Sequence, residues 1–199
     1  MLGIFISIFL GIICGIFFKS DFLILKSNFL IDFGLCLLLF FVGIDISDNS
    51  HLFINLKKYG KKIWILPLTT IIGSLVGGAM ATLFIPISLG HSLAVSSGLG
   101  WYSLSAIELS KISTELGSIA FLSNIFREVL AIITIPIVAK RIGGFESVSV
   151  AGATSMDTLL PIINKSNSSD ISIIAFFSGV ILTSFVPILL SLVISIFKL

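Results

Sequence analysis

The sequence predicts an all-α integral membrane protein: about five transmembrane helices plus two re-entrant or broken helical segments. Three observations carry that expectation. The 199 residues are 56% hydrophobic and only 11% charged, the mean hydropathy is +1.18, and apolar runs long enough to cross a bilayer recur along the chain. About a quarter of an ordinary soluble domain is charged, so a chain this poor in charge has lipid rather than water as its solvent. The formal charge of +2 says little about partners, because in a membrane protein the placement of Lys and Arg matters more than their sum. Nothing points to nucleic acid. Cys14 and Cys36 lie inside apolar runs, where a small hydrophobe is expected rather than a disulfide or a metal ligand.

Each element follows in order. Residues 1–18 lack the basic start and small-residue cleavage site of a signal peptide and are expected to be a retained span. Further crossings are expected at residues 28–46, 63–85, 117–139 and 171–197. Two other apolar stretches, residues 87–110 and 147–163, are interrupted by small and polar residues, "GHSLAVSSGLGWYSLSAIELS" and "SVSVAGATSMDTLLPI". Gly98, Gly100, Gly152 and Pro161 favour breaks, and a broken helix at membrane depth is tolerated only where its freed backbone faces protein or water.

Basic residues set the expected topology. Lys57, Lys58, Lys61 and Lys62 make the loop after the second span cytoplasmic. The N-terminus is then inside and the C-terminus outside, with Lys140, Arg141 and Lys165 inside and Lys19, Lys26, Lys111 and Lys198 outside. The chain reads as a single transporter domain, residues 1–199, containing an inverted repeat of units 63–112 and 117–166. A shift of 55 residues lays "SLAVSSGLGWYSLS" over "SVSVAGATSMDTLL" and places Tyr102 opposite Asp157. One crossing plus one re-entrant hairpin per unit gives successive units opposite orientation, the plan of many secondary transporters.

The stretch "GSIAFLSNIFREVLAIITIPIVAK" carries Asn124, Arg127 and Glu128 at the centre of a span. An ionisable group there costs on the order of 3 kcal/mol even on the most lenient scale, so it normally faces protein or a wet cavity and serves function. Glu128 and Asp157 are therefore the expected substrate- or proton-binding residues. Arg127 either pairs with Asp157 or another acid as structural glue or supports the site. Glu128 falls in helical register with Asn124, and Lys111 with Glu115. Trp101 and Tyr102 read as a lid over the substrate or as interfacial aromatics. Asp32 and Asp45, near span ends, read as interfacial, and the "VGGAM" group as helix-interface chemistry.

Three segments, "GLGWYSLSAIELS", "NIFREVLAIITIP" and "GATSMDTLLPII", resemble the signature segments of the lysine exporter LysO family, and "LLLFFVGIDI" with the basic loop after it fits the same pattern. The resemblance covers essentially the whole chain and matches the C-terminal two-thirds of the long members. It implies export of L-lysine and toxic lysine analogues across the cytoplasmic (inner) membrane, with Glu128 and Asp157 as the matching intramembrane acids. It also implies that a separately encoded three-span N-terminal subunit, or a homo-oligomer, supplies the rest. For such a substrate the carboxylates would take an ammonium. Backbone N–H groups at the breaks around Gly98, Gly100 and Gly152, with Ser103, Ser105, Thr154 and Ser155, would take the substrate carboxylate.

Other classes fit less well. His51 and His91 suit no buried catalytic dyad or zinc site, and no Gly-x-x-x-x-Gly-Lys-Ser/Thr run offers an ATP site. No enzyme activity, metal or cofactor is expected. Proton antiport is the expected energy source. A Na⁺/H⁺ or other cation antiporter is the main rival, and a non-transporting structural subunit the remaining one.

Overall fold

A computed structural model describes Leu2–Phe17, single helical positions at Phe33, Leu37, Phe40 and Ile44, Gly60, and residues 62–199. Apart from those four positions, the expected span at residues 28–46 lies outside the described residues, as do Asp32, Cys36, Asp45, His51 and nearly all of the basic loop. The chain divides into two compact units, Met1–Asp45 and Ile46–Leu199. In the first, α1 (Leu2–Phe17) is a 16-residue helix with no charged residue in its first or last turn. Its Ile6, Phe9, Leu10 and Ile16 are exposed.

The second unit begins with α2 (Lys62–Ala81), followed by α3 (Leu89–Ser96), α4 (Tyr102–Ser110) and α5 (Thr114–Arg141). Next come α6 (Gly144–Ala151), a 3₁₀ turn (Gly152–Met156), α7 (Leu160–Ser166) and α8 (Ser169–Phe197). Among the described residues the structure is all-helical. Three helical stretches in it, Ile63–Ala81, Thr114–Arg141 and Ser169–Phe197, are long and apolar enough to cross a membrane. Both segments expected to be interrupted are interrupted. The first breaks between α3 and α4, the second at the 3₁₀ turn and the residues before α7.

Local chemistry explains where the helices start and stop. Ser88 caps α3 by accepting from the His91 N–H, and Ser113 caps α5 by accepting from the Leu116 N–H at 3.0 Å. Glu115 sits in the first turn of α5 and Lys140 and Arg141 in its last, each complementing the helix dipole. With 28 residues, α5 is about 42 Å long and exceeds a hydrocarbon core of about 30 Å.

Burial along α5 follows the helical period. Leu116, Ala120, Asn124, Ala131 and Ile135 are buried, whereas Leu122, Phe126, Leu130, Ile133 and Ile137 are exposed. Both faces are largely apolar, which suits a helix with protein on one side and lipid on the other. Lipid tails remove the hydrophobic drive for helices to associate, so close packing and interhelical hydrogen bonds must hold them. Ser92 accordingly donates to the Gly78 carbonyl at 2.6 Å and Ser74 to the Ser96 carbonyl at 2.9 Å, joining α2 to α3. A Cβ on Gly78 would lie 2.3 Å from the Ser96 Oγ, so part of the "VGGAM" group is an interface as expected. Gly179 on α8 lets the backbone of Met156 approach in the same way.

Two expected pairings are corrected. Lys111 bonds Glu108 at 2.7 Å, three residues back within the end of α4, rather than Glu115, which lies beyond a turn on α5. Asn124 does not pair with Glu128; its amide turns toward the first break.

Candidate functional site

The two breaks meet. The Ala153 N–H, in the 3₁₀ turn, donates to the Leu99 carbonyl at 2.9 Å, so the interrupted backbones satisfy one another. The Leu99 side chain is buried in a cluster with Ala153, Leu182 and Val186. That packing holds Leu99 at φ 49°, a left-handed conformation that costs a non-glycine residue about 1–2 kcal/mol.

Two polar residues of α5 clamp this junction. Asn124 Oδ1 accepts from the Gly100 N–H at 2.8 Å, while its Nδ2 donates to the Ala120 carbonyl at 2.9 Å and reaches Ser105 Oγ at 3.4 Å. One helical turn on, Arg127 donates from Nη1 to the Leu99 carbonyl at 2.9 Å and from Nη2 to the Val150 carbonyl at 3.2 Å. The Val150 carbonyl lies in the last turn of α6, where backbone C=O groups carry partial negative charge, and the Leu99 carbonyl lies in the break three residues past α3. The guanidinium thus bridges the end of α6 and the break that follows α3. Gly100 (φ +107°) and Gly152 (φ +63°) make room for it, since a Cβ would lie 2.4 Å from Nη1 or 2.0 Å from Nη2.

Arg127 is therefore no partner of Asp157. Among the described residues the ion pair present is Lys111–Glu108, and the arginine spends both Nη atoms on backbone oxygens. Glu128, next along α5, instead accepts the Thr158 hydroxyl proton at Oε1. The Thr158 N–H donates to Asp157 Oδ1 at 2.6 Å, and the Thr158 hydroxyl oxygen lies 3.4 Å from that same atom. Both carboxylates, partly buried, are gathered about one threonine. Tyr102, at the start of α4, lies within electrostatic range of both and packs edge-on against Phe121 with ring centroids 5.7 Å apart.

Most of the expected anion donors are hydrogen-bonded within the protein. Ser105 donates to the Trp101 carbonyl at 2.9 Å, Thr154 to the Ala151 carbonyl at 2.7 Å and Ser155 to the Ala175 carbonyl at 2.8 Å. The N–H groups of Gly100 and Ala153 are likewise taken, and that of Gly98 bonds the Val95 carbonyl at 3.3 Å. These residues build the breaks and tie them to α5 and α8. Ser103 is exposed on α4, and Trp101 packs against the Leu99 cluster. Thr158 was missed by the sequence reading; its adjacency to Asp157 was the available signal, but its contact with Glu128 spans 30 residues.

Among the described residues, long apolar helices and a charged junction between two broken ones define a helical membrane protein with a partly buried polar cluster. The chain belongs to the lysine exporter LysO family, whose model matches residues 5–194, and so to a family of transporters rather than enzymes. It is similar to the Lysine exporter LysO of Escherichia coli, 34% identical over 163 residues, which are 80% of this chain and 53% of that protein. It is also similar to the Putative lysine exporter of Haemophilus influenzae, 35% identical over 156 residues, 77% of this chain and 78% of that one. The chain thus spans about half the length of the Escherichia coli relative. No solved structure matches it.

Proposed function

We propose that the chain is the core of a secondary transporter that exports L-lysine and toxic lysine analogues across the cytoplasmic membrane in exchange for protons. The observation that carries this reading is the pairing of Glu128 and Asp157 about Thr158, beside an arginine whose Nη atoms are engaged by the breaks. Arg127 brings one positive charge and the two carboxylates bring two negative ones, leaving the site with one net negative charge. Lysine carries one net positive charge. A proton carries the same. Either neutralises the site, and a membrane interior penalises an uncompensated charge by several kcal/mol. Alternate occupation by lysine and a proton is thus the arrangement the electrostatics favour.

Lysine would place ammonium groups at Glu128 and Asp157. Its carboxylate would meet Arg127, which has N–H groups beyond those on Leu99 and Val150, and Tyr102 would close over the stem. The order of elements after residue 62 supports a repeat: long helix, broken pair, long helix, broken pair, long helix. We take the broken pairs as re-entrant, the N-terminus as cytoplasmic and the C-terminus as external, with a three-span subunit or a second copy completing the protein.

The test is uptake of labelled lysine into inside-out vesicles under an imposed pH gradient at fixed membrane potential. Uptake should follow the gradient. Indifference to it would refute proton exchange, and salt tolerance without lysine release in intact cells would favour a cation antiporter.

A further inference from the structure

We propose that Thr158 is the positioning residue that makes Glu128 and Asp157 act as one cation site, an inference that rests on the lysine-exporter reading and adds a residue to it. The two acids come from different elements, Glu128 from the middle of α5 and Asp157 from the residues between the 3₁₀ turn and α7. Thr158 touches both. Its hydroxyl donates to Glu128 Oε1, its N–H donates to Asp157 Oδ1 at 2.6 Å, and its hydroxyl oxygen is 3.4 Å from that second acceptor.

A hydroxyl carries one proton, so Glu128 and Asp157 compete for a single donor. With the hydroxyl donating to Glu128, Asp157 is held at Oδ1 by the Thr158 backbone N–H. When a cation or proton reaches Glu128, the hydroxyl is released to turn toward Asp157 Oδ1, already within reach. Threonine suits this exchange, since its β-branched side chain is confined to few χ1 wells and the oxygen moves between defined positions. Among the described residues, Tyr102 from α4 and Arg127 from α5 also interact electrostatically with Glu128, with Arg127 held by Leu99 and Val150. The threonine hydroxyl is therefore the mobile donor of the cluster.

The experiment compares lysine uptake kinetics of wild type, Thr158→Val and Thr158→Ser in inside-out vesicles, using the full chain with any partner subunit, normalised to protein abundance. Valine keeps the shape and removes the donor. It should raise the KM for lysine about tenfold or more while leaving the maximal rate closer to wild type, the signature of lost binding. Serine should restore the KM to within about threefold, since it restores the donor. An unchanged KM in Thr158→Val, or equal impairment in Thr158→Ser, overturns the inference while leaving the exporter reading intact. Should valine fail to accumulate, Thr158→Ala is read in the same assay. If neither accumulates while serine does, the hydroxyl serves folding and the inference falls. Wild-type vesicles that take up no lysine overturn both.

Discussion

Arg127 reaches the carbonyl of Leu99 at 2.9 Å, across 28 residues of chain, and that oxygen also accepts the Ala153 N–H. An arginine at the centre of a membrane span is thus spent on backbone, holding two interrupted helices together. This gives the charge a structural reason that does not consume either neighbouring carboxylate.

Arg127→Ala removes two charge-assisted hydrogen bonds and should cost about 3 kcal/mol, seen as lower abundance and a lower melting temperature in detergent. Arg127→Lys should recover only part, because a single ammonium does not reproduce the planar fork that spans both carbonyls. Adding Asp157→Asn to Arg127→Ala should not restore stability. A double-mutant coupling well above about 0.5 kcal/mol would instead mean that the two residues are paired.

Gly100→Ala and Gly152→Ala should each impair accumulation. Both add a Cβ within 2.4 Å of the Arg127 guanidinium at positive φ, where a side chain is strained as well as crowded. Gly77→Ala is the control, because nothing lies within 4 Å of its added Cβ. Its abundance, followed by fluorescence of a fused reporter, should match wild type.

Much of this was legible in the sequence, and the misses share one cause. Hydropathy marked the three long helices, because lipid solvation requires a long apolar run. The breaks were marked by Gly98, Gly100 and Gly152, because only glycine readily takes the backbone angles found at Gly100 and Gly152. Asn124, Arg127, Glu128 and Asp157 stood out because polar groups in a span are expensive. Their partners did not. The in-register rule paired Asn124 with Glu128 and Lys111 with Glu115, yet Asn124 serves Gly100, and a turn separates Lys111 from Glu115. Ser105, Thr154 and Ser155 looked like free donors until the folded backbone supplied their acceptors. Thr158 was unremarkable until α5 was brought beside it.

If charge balance governs selection, substrate charge should matter more than size. Norleucine matches the lysine stem but lacks the side-chain ammonium, so it would leave the site one charge from neutral. It should compete with labelled lysine at least about a hundredfold less well than a cationic analogue of similar length, a penalty of about 2.7 kcal/mol. Competition by norleucine equal to that of the cation would refute the charge argument.

The central claim is that Glu128 and Asp157 form the transport site. It is tested most directly by lysine release from cells fed a lysine-containing dipeptide, comparing wild type with Glu128→Gln and Asp157→Asn at matched abundance. Each substitution keeps the side-chain shape and should leave membrane insertion intact, because removing a charge lowers the insertion cost. Release should fall to background in both variants. Wild-type rates of release from both would contradict the account and leave the two acids a structural role.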